Sequence, residues 1–153
     1  MKNFNRRGMT IMEIVIVIAI LGILVAVGVV AMNPAGQLAS SRNSKRALDL
    51  QTIMNGIRAN IADQMGEAFS CGAGIIPTST KRMAPGTGNY DIAPCLIPTY
   101  LLALPFDPST SSAHYASNSD YDTGYFMVRN ASTGQITLTA PAAELGKTIL
   151  ITR

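Results

Sequence analysis

The sequence predicts an α+β chain: a long N-terminal helix whose first half spans a membrane and whose second half packs on a small antiparallel β-sheet. Three observations predict it. Residues 14–32 are apolar or Gly throughout, a run of 19. A later stretch repeats apolar residues at three- or four-residue spacing, at Ala47, Leu50, Met54, Ile57, Ile61, Met65 and Ala68. Three strand-like runs, 124–129, 135–139 and 148–152, close the chain. A one-striped helix and a one-faced sheet each expose an apolar surface, and packing them together buries both.

The apolar run comes first. At about 1.5 Å per helical residue it spans roughly 28 Å, close to the hydrocarbon thickness of a bilayer. Lys2, Arg6 and Arg7 precede it. The positive-inside rule then places the extreme N-terminus in the cytoplasm and the C-terminal domain outside. The chain carries a net charge of +3, but without those three cations the other nine Lys and Arg balance nine Asp and Glu. The basic character belongs to the leader and is no argument for nucleic-acid binding. A secretory signal peptide competes for the same residues, with Ala35, Gly36, Ala39 and Ser40 imitating a cleavage site, yet its apolar region is typically only about 7–15 residues long. Gly22 and Ala26 form a small-xxx-small pair that lets helices approach closely, although Gly is common in membrane helices anyway. Glu13 is the oddest residue. An acid in a membrane helix is costly, and residues 9–32 contain no cation to pair with it.

Arg6-Arg7-Gly8-Met9-Thr10-Ile11-Met12-Glu13 resembles the N-terminal signal of type IV pilins and type II secretion pseudopilins. That family has a basic leader ending in Gly, then typically Phe-Thr-Leu-x-Glu and a long apolar helix. Met9 departs from the commonest Phe. The resemblance implies that a prepilin peptidase cuts between Gly8 and Met9 and methylates the new amine of Met9. It also gives Glu13 a partner: in a helical filament its carboxylate would pair with the Met9 amine of a neighbouring subunit. A lone charge in a low-dielectric core is far costlier than a paired one. An ordinary single-pass anchor with a stray acid near the headgroups is the plainer reading.

Asn33-Pro34 reads as a break and restart, because Asn caps helices well and Pro suits their first position. With no Pro inside the apolar run, the flexible point is expected between Gly28 and Gly36. The restarted helix should run to about Phe69, with Arg42, Lys45, Asp49, Arg58, Asp63 and Glu67 mainly off the apolar stripe. Arg42, Lys45 and Arg46 form a basic cluster just past the membrane, read as a solvated face, with lipid headgroups or an acidic neighbouring subunit as alternative contacts. This divides the chain into a leader at 1–8, a membrane or filament-core helix at 9–33, its amphipathic continuation at 34–69 and a small globular domain at 70–153.

Residues 71–98 are rich in Gly, Pro, Ser and Thr and read as a long loop. The chain has two cysteines, Cys71 and Cys95. An even count in an extracytoplasmic domain favours a disulfide, with two free buried thiols as the alternative. Residues 97–104 fit a helical turn or a short strand. Leu104-Pro105-Phe106-Asp107-Pro108 resembles the Leu-Pro-x-Asp-Pro stretch of major pseudopilins and many pilins, which leads into the sheet. Residues 109–119 read as a polar loop. Residues 130–134, which end in Gly, fit a hairpin turn between the first two strand-like runs.

Little in the chain points to catalysis. His114, the one histidine, sits in a Ser-rich stretch and reads as solvated. No nucleophile elbow, phosphate loop or zinc signature appears, so the chain is expected not to be an enzyme. The one metal candidate is calcium on Asn118, Asp120 and Asp122, whose alternating oxygens are similar to the start of an EF-hand loop. An EF-hand itself is excluded, because the Gly falls one place late and Arg129 stands where the bidentate Glu belongs. Major pseudopilins commonly bind calcium in this region. A turn rich in Asn and Asp for backbone reasons is the plainer alternative. The sequon Asn130-Ala131-Ser132 reads as chance.

The expectation is therefore a structural subunit. The resemblance implies a monomer held in the bilayer of the inner membrane, trimmed by prepilin peptidase and driven by an assembly platform and its ATPase into a filament with other pilin-like subunits. A type II secretion pseudopilus, a pilus for adhesion or motility and a DNA-uptake pilus are the competing uses. Only the last would bring nucleic acid as a partner. A membrane-anchored binding domain that never polymerises is the alternative from a different class.

Overall fold

A computed structural model describes residues 8–31, 33–65, 68–69 and 71–153. Lys2, Arg6 and Arg7 of the leader, Met32 at the end of the apolar run, Glu67 and Ser70 lie outside the described residues. The chain divides into two compact units between Leu38 and Ala39.

The first unit contains helix α1 (Ile11–Ala31). Its many Val and Ile residues would favour a strand in water, but a lone strand in lipid leaves its backbone groups unpaired, while a helix satisfies them internally. α1 runs unbroken through Gly28, and none of its described side chains is buried within the chain. Asn33 has a positive φ of 41° and starts the next helix, α2 (Pro34–Asp63): its Oδ1 accepts from the Gly36 N–H at 3.2 Å. The chain interruption thus falls immediately before Pro34, as the Asn-Pro pair predicts.

In the second unit α2 buries Leu50, Ile53, Met54 and Ile57. The helix ends at Asp63, short of the expected end near Phe69. Met65 adopts a left-handed φ of 59°, a conformation that ends helices, and Gly66 follows it in sequence. Met65 and Ala68 are therefore exposed or leave the expected stripe, while Phe69 is buried. The stripe is also broader and more polar than expected. Asn43, Arg46, Asp49 and Asn60 are buried along it.

The expected three strands are part of a four-stranded antiparallel sheet in the order β1-β4-β5-β6. Strands β4 (Phe126–Arg129), β5 (Ile136–Ala140) and β6 (Ile149–Thr152) fall within one or two residues of the expected runs. Along β5, Ile136, Leu138 and Ala140 are buried while Thr137 and Thr139 are only half-buried, the two-residue alternation of a one-faced strand. The fourth strand, β1 (Lys81–Arg82), and a short helix α3 (Ala93–Leu96) lie in the stretch expected to be loop. Residues 97–104 form neither helix nor strand. Instead Tyr100 and Leu101 both donate their N–H to the Leu96 carbonyl, a turn that follows α3. A second, two-stranded sheet pairs β2 (His114–Ser117) with β3 (Asp120–Asp122) and replaces much of the expected polar loop.

One core fills this unit. Leu50, Ile53, Met54 and Ile57 of α2 meet Met127 of β4, Leu138 of β5, and Met83, Ile92, Leu96 and Tyr125 from the connecting segments and α3. Cys71 and Cys95 form a disulfide across a Cα–Cα distance of 5.1 Å and pack against that core.

Candidate functional site

The functional residues expected at the N-terminus lie at the start of α1. Gly8, Met9 and Thr10 are non-helical and exposed. Thr10 caps the helix: its Oγ1 accepts from the Glu13 N–H at 3.2 Å, and its carbonyl accepts from the N–H groups of Glu13 at 3.1 Å and Ile14 at 3.3 Å. Glu13 therefore stands in the first turn, where the positive end of the helix dipole favours a carboxylate. Among the described residues its carboxylate has no ion-pair or hydrogen-bond partner. Beyond it come 18 residues of α1 without another charge.

A family model described as the prokaryotic N-terminal methylation motif matches residues 3–29. The chain carries the type IV pilin and pseudopilin signal. Comparison with curated proteins and with solved structures finds no match. The signal marks a pilin-like precursor, whose apolar helix fits membrane anchoring. A long apolar helix followed by a small antiparallel sheet is the α+β arrangement consistent with the pilin-like fold. A signal of this kind implies processing by prepilin peptidase and assembly with other pilins.

The basic cluster is a solvated face only in part: Lys45 is exposed and Arg42 half-buried, but Arg46 is not solvated. Arg46 is fully buried and forms a two-pronged pair with Asp107, Nε to Oδ2 at 2.7 Å and Nη2 to Oδ1 at 3.2 Å. Its Nη1 donates to Asn43 Oδ1 at 2.8 Å and to Glu144 Oε2 at 3.0 Å, and its Nη2 donates to Ser109 Oγ at 2.6 Å. Arg42 grips the same Glu144 through both carboxylate oxygens, at 2.7 and 2.6 Å. Lys45 pairs with Asp49 at 2.9 Å, and Asp49 in turn accepts from the buried Tyr125 hydroxyl at 2.8 Å. The departure from a solvated face has a simple cause. Residue type alone sends a guanidinium to water, but here Asp107, Ser109 and Glu144, all distant in sequence, supply Arg46 with acceptors inside the fold.

That network sets the charges. Burial alone would push the Asp107 carboxyl up, but Arg46 and the Ser109 and Thr110 amides outweigh it and hold it at about 2. Arg42 and then Arg46 hold the Glu144 carboxyl at about 2. The Asp107 hydrogen bond, ahead of Glu144, raises the Arg46 guanidinium. Burial, followed by the bond to Asp49, raises the Tyr125 hydroxyl. Asp107 is the Asp of the Leu-Pro-x-Asp-Pro stretch, so that pentapeptide docks α2 to the polar segment after it as well as leading toward the sheets.

Each of the three expected calcium ligands has a protein partner. Asn118 Oδ1 accepts from the Tyr115 hydroxyl at 2.7 Å, Asp120 Oδ1 meets His114 Nε2 at 3.0 Å, and Asp122 Oδ1 lies 2.7 Å from Arg82 Nε. A guanidinium against Asp122 repels a divalent cation. Among the described residues no group of three or more His, Cys, Asp or Glu is placed to hold a metal ion. His114 is exposed at the edge of β2, and its other nitrogen, Nδ1, lies 2.7 Å from the Ser112 carbonyl. The Asp120 hydrogen bond, then that carbonyl, raise its pKa.

The residues that sequence reasoning missed are Asn43, Ser109 and Glu144. Their signal was faint: Asn43 bonds Arg46 three residues on, but Ser109 lies 63 positions from Arg46 and Glu144 101 from Asn43. The Thr10 cap was missed as well, although Thr-x-x-Glu ahead of an apolar run is a signal that could have found it.

Proposed function

We propose that the chain is a subunit of a type IV pilus or a type II secretion pseudopilus. Cleavage after Gly8 frees the amine of Met9, and the amine pairs with Glu13 of a neighbouring subunit as the filament forms. The observation that carries this reading is Glu13 itself, a carboxylate on a membrane-length helix without a partner among the described residues. Moving such helices from lipid into a bundle changes the hydrophobic term little, since lipid tails are as apolar as Leu. Packing and the ion pair must supply the bias toward the filament. Before cleavage the chain has no amine at Met9, so processing acts as the switch. The Leu-Pro-x-Asp-Pro stretch supports a secretion pseudopilus or a pilus over a DNA-uptake filament.

Substituting Glu13→Ala tests the pairing. The variant should be cleaved and remain in the inner membrane, while sheared filaments containing it fall at least tenfold. Filament yield equal to wild type contradicts the proposal. A wild-type chain that stays a membrane monomer beside an intact assembly machine supports the non-polymerising anchor.

A further inference from the structure

We infer that the free edge of β6 docks an extended segment of another protein, one that reads acid-x-apolar-x-apolar-x-acid. β6 is the last strand of its sheet, and among the described residues no strand lies beyond it. Arg153 and Ile136 exchange both backbone bonds, at 3.0 and 2.7 Å. Bonded pairs alternate along an antiparallel ladder, so Ile149 and Ile151 also turn their backbone groups toward β5. Leu150 and Thr152 turn their N–H and C=O groups away from the sheet, and Leu150 is 54% exposed. Proteins commonly blunt such an edge with a Pro, a bulge or a charge within the strand. Residues 148–152, Thr-Ile-Leu-Ile-Thr, contain no Pro and no charge, and β6 pairs with β5 without a register shift.

The side chains define what fits. Ile149 and Ile151 are half-buried and pack against the core beside Ala140 and Leu138. Lys147 stands two positions before Ile149, and Arg153 two after Ile151; both are exposed. Arg58 of α2 joins Arg153 on an open groove of about 530 Å³ whose apolar lining includes Ile57, Ile61 and Ile136. None of these three cations has an ion-pair partner among the described residues. Arg58 keeps that end positive even against a backbone carboxylate on Arg153. An added strand gains affinity from main-chain bonds and specificity from alternate side chains. Apolar residues beside Ile149 and Ile151, with an acid at each end, complete the face.

A second copy of this chain does not fit. Residues 148–152 form a palindrome, so two β6 edges could pair antiparallel about Leu150. That register sets Lys147 of one against Arg153 of the other at both ends, and like charges opposite each other destabilise. Nor does the chain hold the complementary pattern, since no two of its nine acids stand six positions apart.

The test uses the full-length chain in detergent and a blocked, fluorescent peptide reading Thr-Glu-Thr-Val-Thr-Val-Thr-Glu-Thr. Its control carries Lys in place of both Glu. The Glu peptide should bind about tenfold more tightly than the Lys peptide, and binding should slow amide exchange at Leu150 and Thr152. The double variant Lys147→Glu, Arg153→Glu changes only exposed side chains and should reverse the preference. No binding overturns the inference and leaves Lys147 and Arg153 as guards against edge pairing. Equal binding of both peptides, or binding without protection at Leu150 and Thr152, overturns it too. Protection that grows with chain concentration in the absence of peptide assigns the edge to a second copy and overturns it as well.

Discussion

Arg46 shows how far a single residue departs from what its type suggests. It is fully buried, yet it carries the charge that organises one side of the second unit. Removing one partner of a buried pair leaves the other unsolvated, at a cost of about 3–5 kcal/mol. Arg46→Met keeps most of the volume and should lower unfolding stability by about 3 kcal/mol, toward the bottom of that range, because Asp107 keeps the Ser109 and Thr110 amides. Denaturant unfolding of the full chain in detergent checks this. The acids around Arg46 also make stability depend on pH. Asp107 and Glu144 have ordinary values of 3.8 and 4.5 and are both held at about 2. A depressed carboxylate contributes stability above its unfolded pKa and loses it as pH falls through its folded one. The melting temperature should therefore fall steadily between about pH 5 and pH 2. Glu144→Gln should flatten that slope, and an unchanged slope would show that the Arg42–Glu144–Arg46 contact is not maintained in solution. Nothing in the sequence flagged Arg46 over Arg42, since hydrophobic periodicity reports only the apolar part of a buried face.

At the scale of elements, the long and strongly patterned pieces were legible and the short polar ones were not. α1, the start of α2 and strands β4–β6 each carry a sustained period, an apolar run or a start signal. The two-residue β1 and the β2–β3 hairpin, with sequences Lys-Arg, His-Tyr-Ala-Ser and Asp-Tyr-Asp, have no room for one. They form because tertiary partners supply the pairing. Met83, just after β1, donates its N–H to the Tyr125 carbonyl, and its own carbonyl accepts from Thr123. The end of α2 was misplaced because Ala68 and Phe69 prolong an apparent stripe past a residue with left-handed geometry. Gly124 shows what joins these small elements. Its φ is +73°, and a Cβ there would lie 3.0 Å from Asp107 Cβ and 3.4 Å from Ala113 Cβ. Gly124→Ala should destabilise by at least ~1–2 kcal/mol from the left-handed conformation alone, read as a lower melting temperature. An unchanged value would mean that the β3–β4 connection differs from the one described.

For the molecule as a whole, the sequence divides the work between two parts. The membrane-length helix carries the signal and an acid without a partner among the described residues, and the second unit carries a core, a disulfide and a buried ion network. The N-terminal signal was legible because it is short, local and almost free of competing charge. The second unit's network was not, because its chemistry joins residues from α2, the Asp107 loop and the segment before β6. Assembly, in the reading proposed above, depends on proteolysis creating the cation that Glu13 lacks. Intact-mass and N-terminal peptide analysis of the chain isolated from its own cells tests this most directly. We predict a mature form that begins at a methylated Met9 and lacks residues 1–8. A functional, assembled form that still carries the octapeptide would contradict it.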